Sequence, residues 1–550
     1  MATSSIAPKS TIRLVVTASA AGTIFEWYDF YIFGSLAAII AKHFFANVGE
    51  SRALLFALLT FAAGFAVRPF GALVFGHVGD RIGRKRAFLV TITIMGLATF
   101  AIGLLPDYKS IGITGAYLLI GMRVLQGFAV GGEYGGAITY VAEHARQNER
   151  GATTGWIQVS ASVGLLLALG VILVTRSISG EEAFSAWAWR IPFLLSSILL
   201  TISLWIRMKL EESPVFQRLH LEGKTSRAPL AEAFLHWKNL KLVLLVLVGL
   251  LMGQGVVWYT AQFYTLFYLQ NVVKVDGLLV NELILAVTAI GVPLHLFFAW
   301  LSDRVGRKPV MLFGLALATI SFLPGFQMLT RAVNPELVEA NRRAPVIVVA
   351  PPQDCSFQFD LVGQAKIVTA CDIARSTLAN AGIPYKNEAA PADSLARVRV
   401  RVGSAEIPSV DGQSLSAADL ILARAAFDKT LKASLVMADY PLSADSRKVD
   451  IPSTMFWLVV FVTAAAALYG PQAAALVEFF PTRIRYSALS LPYHIGVGWF
   501  GGFLPATAFA IIAATGNIYA GLWYPVIIAG ICFLVTLLFI PETRHRKLTD

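Results

Sequence analysis

Apolar stretches of about 20 residues recur along this chain, the length an α-helix needs to cross the hydrocarbon of a bilayer. They can be laid down at 14–42, 53–78, 87–106, 112–141, 152–176, 189–209, 239–271, 278–302, 309–331, 453–479, 487–514 and 518–540. Twelve such runs exclude an ordinary soluble fold. Lipid offers no partner to a free backbone amide, so each run is expected to be helical rather than extended. Composition agrees, because only 14% of the residues are charged and the mean hydropathy is +0.65, whereas soluble domains carry about 25% charged residues.

The first run follows a short polar tail, lacks a small-residue cleavage pattern and contains Glu26 and Asp29, so it is expected to be a retained helix rather than a signal peptide. Placing the N-terminus in the cytoplasm puts about 23 Lys and Arg on inner segments against about 6 on short outer loops, as the positive-inside rule requires. Both termini are then cytoplasmic. The formal net charge of +11 is absorbed by those inner turns, which leaves nucleic-acid binding without support.

Residues 332–452 break the apolar pattern. They hold 13 basic and 14 acidic residues and are nearly neutral. "APVIVVAPP" has the make-up of a short strand, "LARVRVRVG" alternates with period two, and "ADLILARAAFDKTLKASL" has helical spacing. A small α/β insert is expected, lying after the ninth span and so on the outer side. Cys355 and Cys371 both fall in it, and an oxidising outer compartment permits them to pair; two separate buried thiols are the alternative. Cys532 lies in the last run as a lone thiol. No metal-spaced His and Cys cluster, nucleophile elbow or phosphate loop is present, so an enzyme and a metal or organic cofactor are not expected.

An internal repeat divides the spans. "GDRIGRK" (79–85) after the second run returns as "SDRVGRK" (302–308) after the eighth, and Glu143 precedes Arg150 by the same seven residues as Glu478 precedes Arg485. The expected fold is therefore all-α and integral to the membrane, with twelve transmembrane helices in two six-helix halves and the α/β insert between helices 9 and 10. The halves are 1–209 and, together, 239–331 and 453–550; residues 210–238 form a cytoplasmic connecting loop. Parallel repeats with a site at their junction are a transporter architecture.

The chain resembles the major facilitator superfamily and, within it, the metabolite:proton symporter group. The superfamily loop pattern is present as Gly76, Asp80, Arg81, Gly83, Arg84 and Lys85, and again as Asp303, Arg304, Gly306, Arg307 and Lys308, with Ala299 at the leading glycine. "EWYDF", "RVLQGFAVGGEYGG", "WRIPFLL", "EESPVF", "FPTRIRYSALSLPYHIGVGWFGG" and "PETR" carry the closer resemblance. It implies alternating access driven by proton symport, with no cofactor beyond the coupling proton. It also implies a small-molecule substrate, a bacterial cytoplasmic membrane and a chain that works as a monomer in lipid. The expected cargo is an organic acid; zwitterions such as betaines or proline are the alternative, and a sensor that captures ligand on its insert is a third. By the same resemblance Asp80, Arg81, Arg84, Glu143, Arg150, Asp303, Arg304, Arg307, Glu478 and Arg485 belong to a cytoplasmic gate.

Gly22, Glu26, Asp29 and Phe33 are spaced four, three and four apart and form one stripe of the first helix, which must face protein or water. Each carboxylate can carry the coupling proton or neutralise a buried arginine. Arg123, Gln126, Val130 and Glu133 share a band of the fourth helix. Ten residues, about 15 Å of helix, separate Arg123 from Glu133, so each needs a partner from elsewhere. Arg123 suits a substrate carboxylate or an acid of the first helix, and Glu133 is a third proton candidate or a packing residue. Arg68 can line a cavity or steady a neighbouring acid. Tyr134, Gln254, Tyr259, Gln262 and Tyr493 complete the candidate substrate contacts, and the seventh helix, equivalent by repeat to the first, contains no acid.

Overall fold

The computed structural model describes residues 9–45, 50–356, 367–390 and 398–548. Residues 1–8 of the expected inner tail and 395–397 of the alternating segment lie outside that range. Ten helices are long and apolar enough to cross a membrane, all within the described residues. They are α3 Arg84–Leu104, α4 Ile113–His144, α5 Gln147–Ser179, α6 Arg190–Met208, α7 Trp237–Val272, α8 Gly277–Val305, α9 Arg307–Val333, α10 Ile451–Phe479, α11 Arg485–Thr515 and α12 Ala520–Phe539. Two further long helices, α1 Lys9–Ser35 and α2 Glu50–Ile82, precede them and carry more charge.

Helix pairing follows one scheme twice. In the first six helices, α1 packs on α5 and α6, α2 on α4, and α3 on α4 and α6. In the last six, α7 packs on α11 and α12, α8 on α10, and α9 on α10 and α12. Adding six to each number converts one scheme into the other. The contacts between the two sets obey the same exchange, α2 meeting α11 and α5 meeting α8.

Backbone contact sets the tightest of these junctions. A Cβ on Gly127 of α4 would lie 2.0 Å from Gly64 O of α2, and one on Gly131 would lie 2.2 Å from Arg68 O. Small residues there let the helices touch, which replaces the hydrophobic drive that lipid cannot supply. Helix α7 departs from α-geometry in three π-helical turns, Leu247–Leu251, Thr260–Tyr264 and Tyr268–Val272, and α11 in one, His494–Gly501. Such turns rotate the following side chains out of register and are frequent at functional sites.

Between α9 and α10 lies a four-stranded sheet with order β2-β1-β3-β4. Its strands are β1 Val346–Ala350, β2 Tyr385–Ala389, β3 Arg399–Val402 and β4 Ala405–Pro408. The parallel pair β1 and β2 is joined through the helix Ala370–Ala381, and the other neighbours run antiparallel. β3 buries Val400 and Val402 and leaves Arg399 and Arg401 partly exposed, the alternation its sequence displays. Cys355 and Cys371 are joined in a disulfide that ties the crossover helix to the end of β1, while Cys532 is a free buried thiol.

Candidate functional site

The α1 stripe lies against α4. Asp29 Oδ2 is 3.3 Å from Arg123 Nη1, and Gln126 Nε2 donates to Asp29 Oδ1 at 2.9 Å. Arg123 also donates to Gln126 Oε1 at 2.6 Å, and Gln126 to Thr99 Oγ1 of α3 at 2.8 Å. Phe33, one turn along the stripe, presents its ring 4.0 Å from the Arg123 guanidinium carbon. Of the two partners that the sequence left open for Arg123, the geometry supplies the acid of the first helix.

Glu26 differs from Asp29. It is 7% exposed, its Oε2 is fully buried, and among the described residues neither oxygen has a hydrogen-bond or ion-pair partner. It lines a cavity of about 20 Å³ with Asp29, Phe30, Arg68, Arg123 and Gln126, a volume close to the smallest that admits a water. Arg68 stands over the Phe65 ring at 4.2 Å and, among the described residues, forms no ion pair. The cavity thus holds one satisfied ion pair and two charges of opposite sign without direct partners.

Glu133 turns away from this cavity. Its carboxylate is paired with Arg207 of α6 and accepts from Thr91 Oγ1 at 3.0 Å, and both charged side chains are 1% exposed. Arg207 Nη1 also donates to Phe88 O at 3.1 Å, and its guanidinium lies 3.4 Å from the Phe88 ring centroid. Gly22 makes room for the pair, since a Cβ there would come within 1.5 Å of Arg207 Nη2. Arg207 escaped the sequence reading because it lies in the last turn of its helix, where a basic residue also satisfies the charge bias of an inner loop.

Tyr134 of α4 and the candidates of the last six helices, Gln254, Tyr259, Gln262 and Tyr493, do not line the cavity. Tyr134 stacks on Tyr493 with ring centroids 3.8 Å apart and accepts from Gln158 Nε2 at 3.1 Å. Gln262 Oε1 accepts from Thr288 Oγ1 at 3.2 Å, Gln254 is buried with its Oε1 without a partner among the described residues, and Tyr259 stacks on Phe263. Beside the cavity, whose wall includes Phe30, Trp27, Phe30 and Tyr31 of α1 meet Trp258 and Phe263 of α7.

At the face carrying the two loop motifs, a second arrangement is built twice. Glu143 of α4 binds Arg485 Nη1 at 2.8 Å and lies 3.7 Å from Arg84 Nε, and Arg84 is 3.3 Å from Asp80. Glu478 of α10 lies 3.4 Å from Arg150 and 3.3 Å from Arg307, and Arg307 is 2.6 Å from Asp303. Each cluster takes one arginine from the opposite helix set. The aspartates also cap helices across the junction. Asp80 accepts from Tyr486 N (3.2 Å) and Ser487 N (2.8 Å) at the start of α11. Asp303 accepts from Gly151 N (2.8 Å) and Ala152 N (2.7 Å) early in α5. A carboxylate on free amides at a helix start is favoured both by the hydrogen bonds and by the helix dipole. Arg81 and Arg304 stay outside the clusters; both are exposed, and Arg304 lies 3.9 Å from the Trp300 ring.

Ala299 is explained by its neighbours. In the first copy Gly76 gives room to Ser487, whose Cα would lie 2.8 Å from a Cβ there. In the second, the glycines stand on the other helix, Gly151 and Gly155, and a Cβ on Gly155 would lie 2.7 Å from that of Ala299. Two further groups close each cluster. Glu212 accepts from Arg84 N (3.1 Å), and Ser213 donates to Glu143. Their counterparts are Glu542, accepting from Arg307 N (3.0 Å), and Thr543, donating to Glu478 at 2.8 Å. "EESP" after α6 and "PETR" after α12 were thus a third internal echo, too short to stand out by repeat alone.

Two matching sets of long apolar helices, a charged cavity in their interior and duplicated ion clusters at one face define a multi-pass membrane transporter rather than an enzyme. The chain belongs to the sugar (and other) transporter family, whose model matches residues 14–233 and 433–550, more than half of it. A second model, MFS/sugar transport protein, matches 136–350. The expected place in the major facilitator superfamily, among relatives of the metabolite:proton symporter group, stands. Over 327 residues the chain is 38% identical to the shikimate transporter of Escherichia coli K12, spanning 58% of this chain and 73% of that one. It is 35% identical over 338 residues to the proline/betaine transporter of the same strain, spanning 58% and 66%. Among solved structures it is similar to the major facilitator proton:xylose symporter XylE bound to 6-bromo-6-deoxy-D-glucose, with a TM-score of 0.61, 15% identity and 98% of each chain covered. At that identity the likeness speaks for the fold.

Proposed function

We propose that the chain is a proton-coupled symporter of the bacterial cytoplasmic membrane that moves a small carboxylate-bearing metabolite by alternating access. In this reading α1–α12 are twelve spans in two halves (1–209, and 239–331 with 453–550) joined by 210–238. The termini are cytoplasmic, the insert is periplasmic, and the monomer works with no cofactor beyond the proton. The observation that carries the reading is the cavity in which Glu26 and Arg68 have no direct partners beside the satisfied Asp29–Arg123 pair. An anionic substrate needs a cation not already neutralised, and Arg68 is that cation. Glu26 is the proton carrier, because Asp29 and Glu133 are each held by an arginine. Ionised, Glu26 competes for Arg68; protonated, it leaves Arg68 to the substrate. An uncompensated charge in a low-dielectric interior is costly, so the halves exchange faces when proton and substrate are both bound or both absent.

The names of the relatives support two cargo classes, shikimate-like acids and betaine- or proline-like zwitterions. Arg68 favours a carboxylate in either. The aromatic layer of Trp27, Trp258 and Phe263 adds faces on which a quaternary ammonium can rest, which is the observation for the second class. Uptake of labelled shikimate, citrate, proline and glycine betaine into vesicles separates them. Accumulation of one should require an imposed inward proton gradient and collapse with a protonophore. The Glu26→Gln variant should lose accumulation and keep exchange of labelled for unlabelled substrate. Gradient-independent accumulation, or accumulation by Glu26→Gln at the wild-type level, would refute the coupling.

A further inference from the structure

The insert is stitched to the second helix set by hydrogen bonds that leave a large cavity at the seam. Tyr385 N donates to Gly516 O at 2.9 Å, Tyr385 Oη to Ala513 O, and Asn387 Nδ2 to Ala514 O (3.1 Å) and Thr515 O (3.2 Å). Gly516 is in the left-handed region at φ +76°, and a Cβ there would come within 2.2 Å of Tyr385 O, so the close approach needs a glycine. Beside these bonds is a cavity of about 960 Å³, at the upper end of the range that holds small molecules.

Its lining has one sign of charge. Arg331 reaches it from the end of α9, and Lys386 from β2 of the insert, with amides from Gln327, Asn341 and Asn517 and the phenol of Tyr519; among the described residues no Asp or Glu lines it. Among the described residues, neither Arg331 nor Lys386 forms an ion pair. Other cations of the insert do have acids: Arg399 pairs with Glu406, Lys432 with Asp428 and Lys448 with Glu336. Arg375, Arg424 and Lys429 of the insert also form no ion pair among the described residues, but only Arg331 and Lys386 line this cavity. It sits at the end of α9 opposite Arg307 and shares no lining residue with the Glu26 cavity.

We propose that this seam is an anion site for a single phosphate or carboxylate group, held between Arg331 and Lys386 and oriented by the surrounding amides. Its occupant joins the insert to α9 and touches none of the residues that line the Glu26 cavity, so the proposal does not depend on the transport reading. The group can arrive on a soluble anion or on the headgroup of an anionic phospholipid, and two arms separate these sources. The full chain is purified and delipidated in a neutral detergent. One arm measures binding of labelled inorganic phosphate and citrate by equilibrium dialysis. The other reconstitutes it in nanodiscs of phosphatidylglycerol or phosphatidylcholine and counts retained lipid by native mass spectrometry. Saturable binding in either arm is expected. The Arg331→Ala/Lys386→Ala variant should weaken it by at least about tenfold, since charge-assisted hydrogen bonds contribute more than the 1.4 kcal/mol that a tenfold change represents. A control variant, Arg424→Ala/Lys429→Ala elsewhere on the insert, should bind as wild type. Unchanged binding in the first variant, or no binding of any probe by the wild-type chain, would overturn the site. An unaltered thermal unfolding curve excludes misfolding as the cause of a loss.

Discussion

Replacing Arg207 by Met leaves the Glu133 carboxylate buried at 1% exposure, with Thr91 as its one remaining donor from another side chain among the described residues. Breaking one side of such a pair costs about 3–5 kcal/mol, whereas removing both charges for apolar groups of similar volume is nearly neutral. For a unit the size of α1–α6, each kcal/mol shifts Tm by roughly 2–4 °C, so Arg207→Met should lower Tm by about 6–20 °C. Glu133→Gln alone should also destabilise, by stranding Arg207. The double variant Glu133→Leu/Arg207→Met should recover most of the loss, giving a coupling of at least about 2 kcal/mol in a double-mutant cycle. Thermal unfolding in detergent, followed by tryptophan fluorescence, measures all four corners. Gly22→Ala offers an independent approach, because its methyl would lie 1.5 Å from Arg207 Nη2 and should disturb the pair while leaving both charges in place. The double variant should still accumulate substrate under a proton gradient, which separates a structural Glu133 from a coupling Glu26. A Tm for Arg207→Met within about 2 °C of wild type, or strictly additive single effects, would refute the reasoning.

Asp80→Ala and Asp303→Ala each remove the carboxylate that caps a helix of the opposite set, worth about 0.5–2 kcal/mol apiece. Either should raise labelling of cysteines placed along α11 or α5 from the loop-motif face, and the pair together should raise it more than either alone. Reduction of Cys355–Cys371, which closes a 16-residue separation, should destabilise the insert by about 3 kcal/mol. Faster proteolysis of the insert, with uptake retained, is the expected readout.

Much of the membrane part was legible because its signals are local and repeated. Apolar runs marked the helices, and two short echoes exposed the duplication that the helix pairing follows. The α1 stripe was legible because period alone puts Gly22, Glu26, Asp29 and Phe33 on one face. The identity of their partners was not. Which arginine meets which carboxylate depends on how α1, α4 and α6 cross, a property of packing that no single segment encodes. Arg207 is the clearest case, since its neighbours Met208 and Lys209 make it look like any basic residue at an inner boundary. Two of the insert's four strands, β1 and β3, could be read from apolar content and alternation, whereas β2 (YKNEA) and β4 (AEIP) carry neither signal. The strand order could not be read, because a parallel pair bridged by a helix leaves no mark at short range. Nor could the seam cavity, whose two cations are 55 positions apart.

The insert enters the bundle near Ala332 and returns near Asp450, and these two residues are joined by a hydrogen bond from Asp450 N to Ala332 O at 2.9 Å. A module whose two ends are neighbours can be spliced in or taken out without stretching the helices on either side. Loop α9–α10 is therefore a natural grafting point. A fluorescent domain of matched end spacing should be accepted there, and would report on one helix set as it turns against the other.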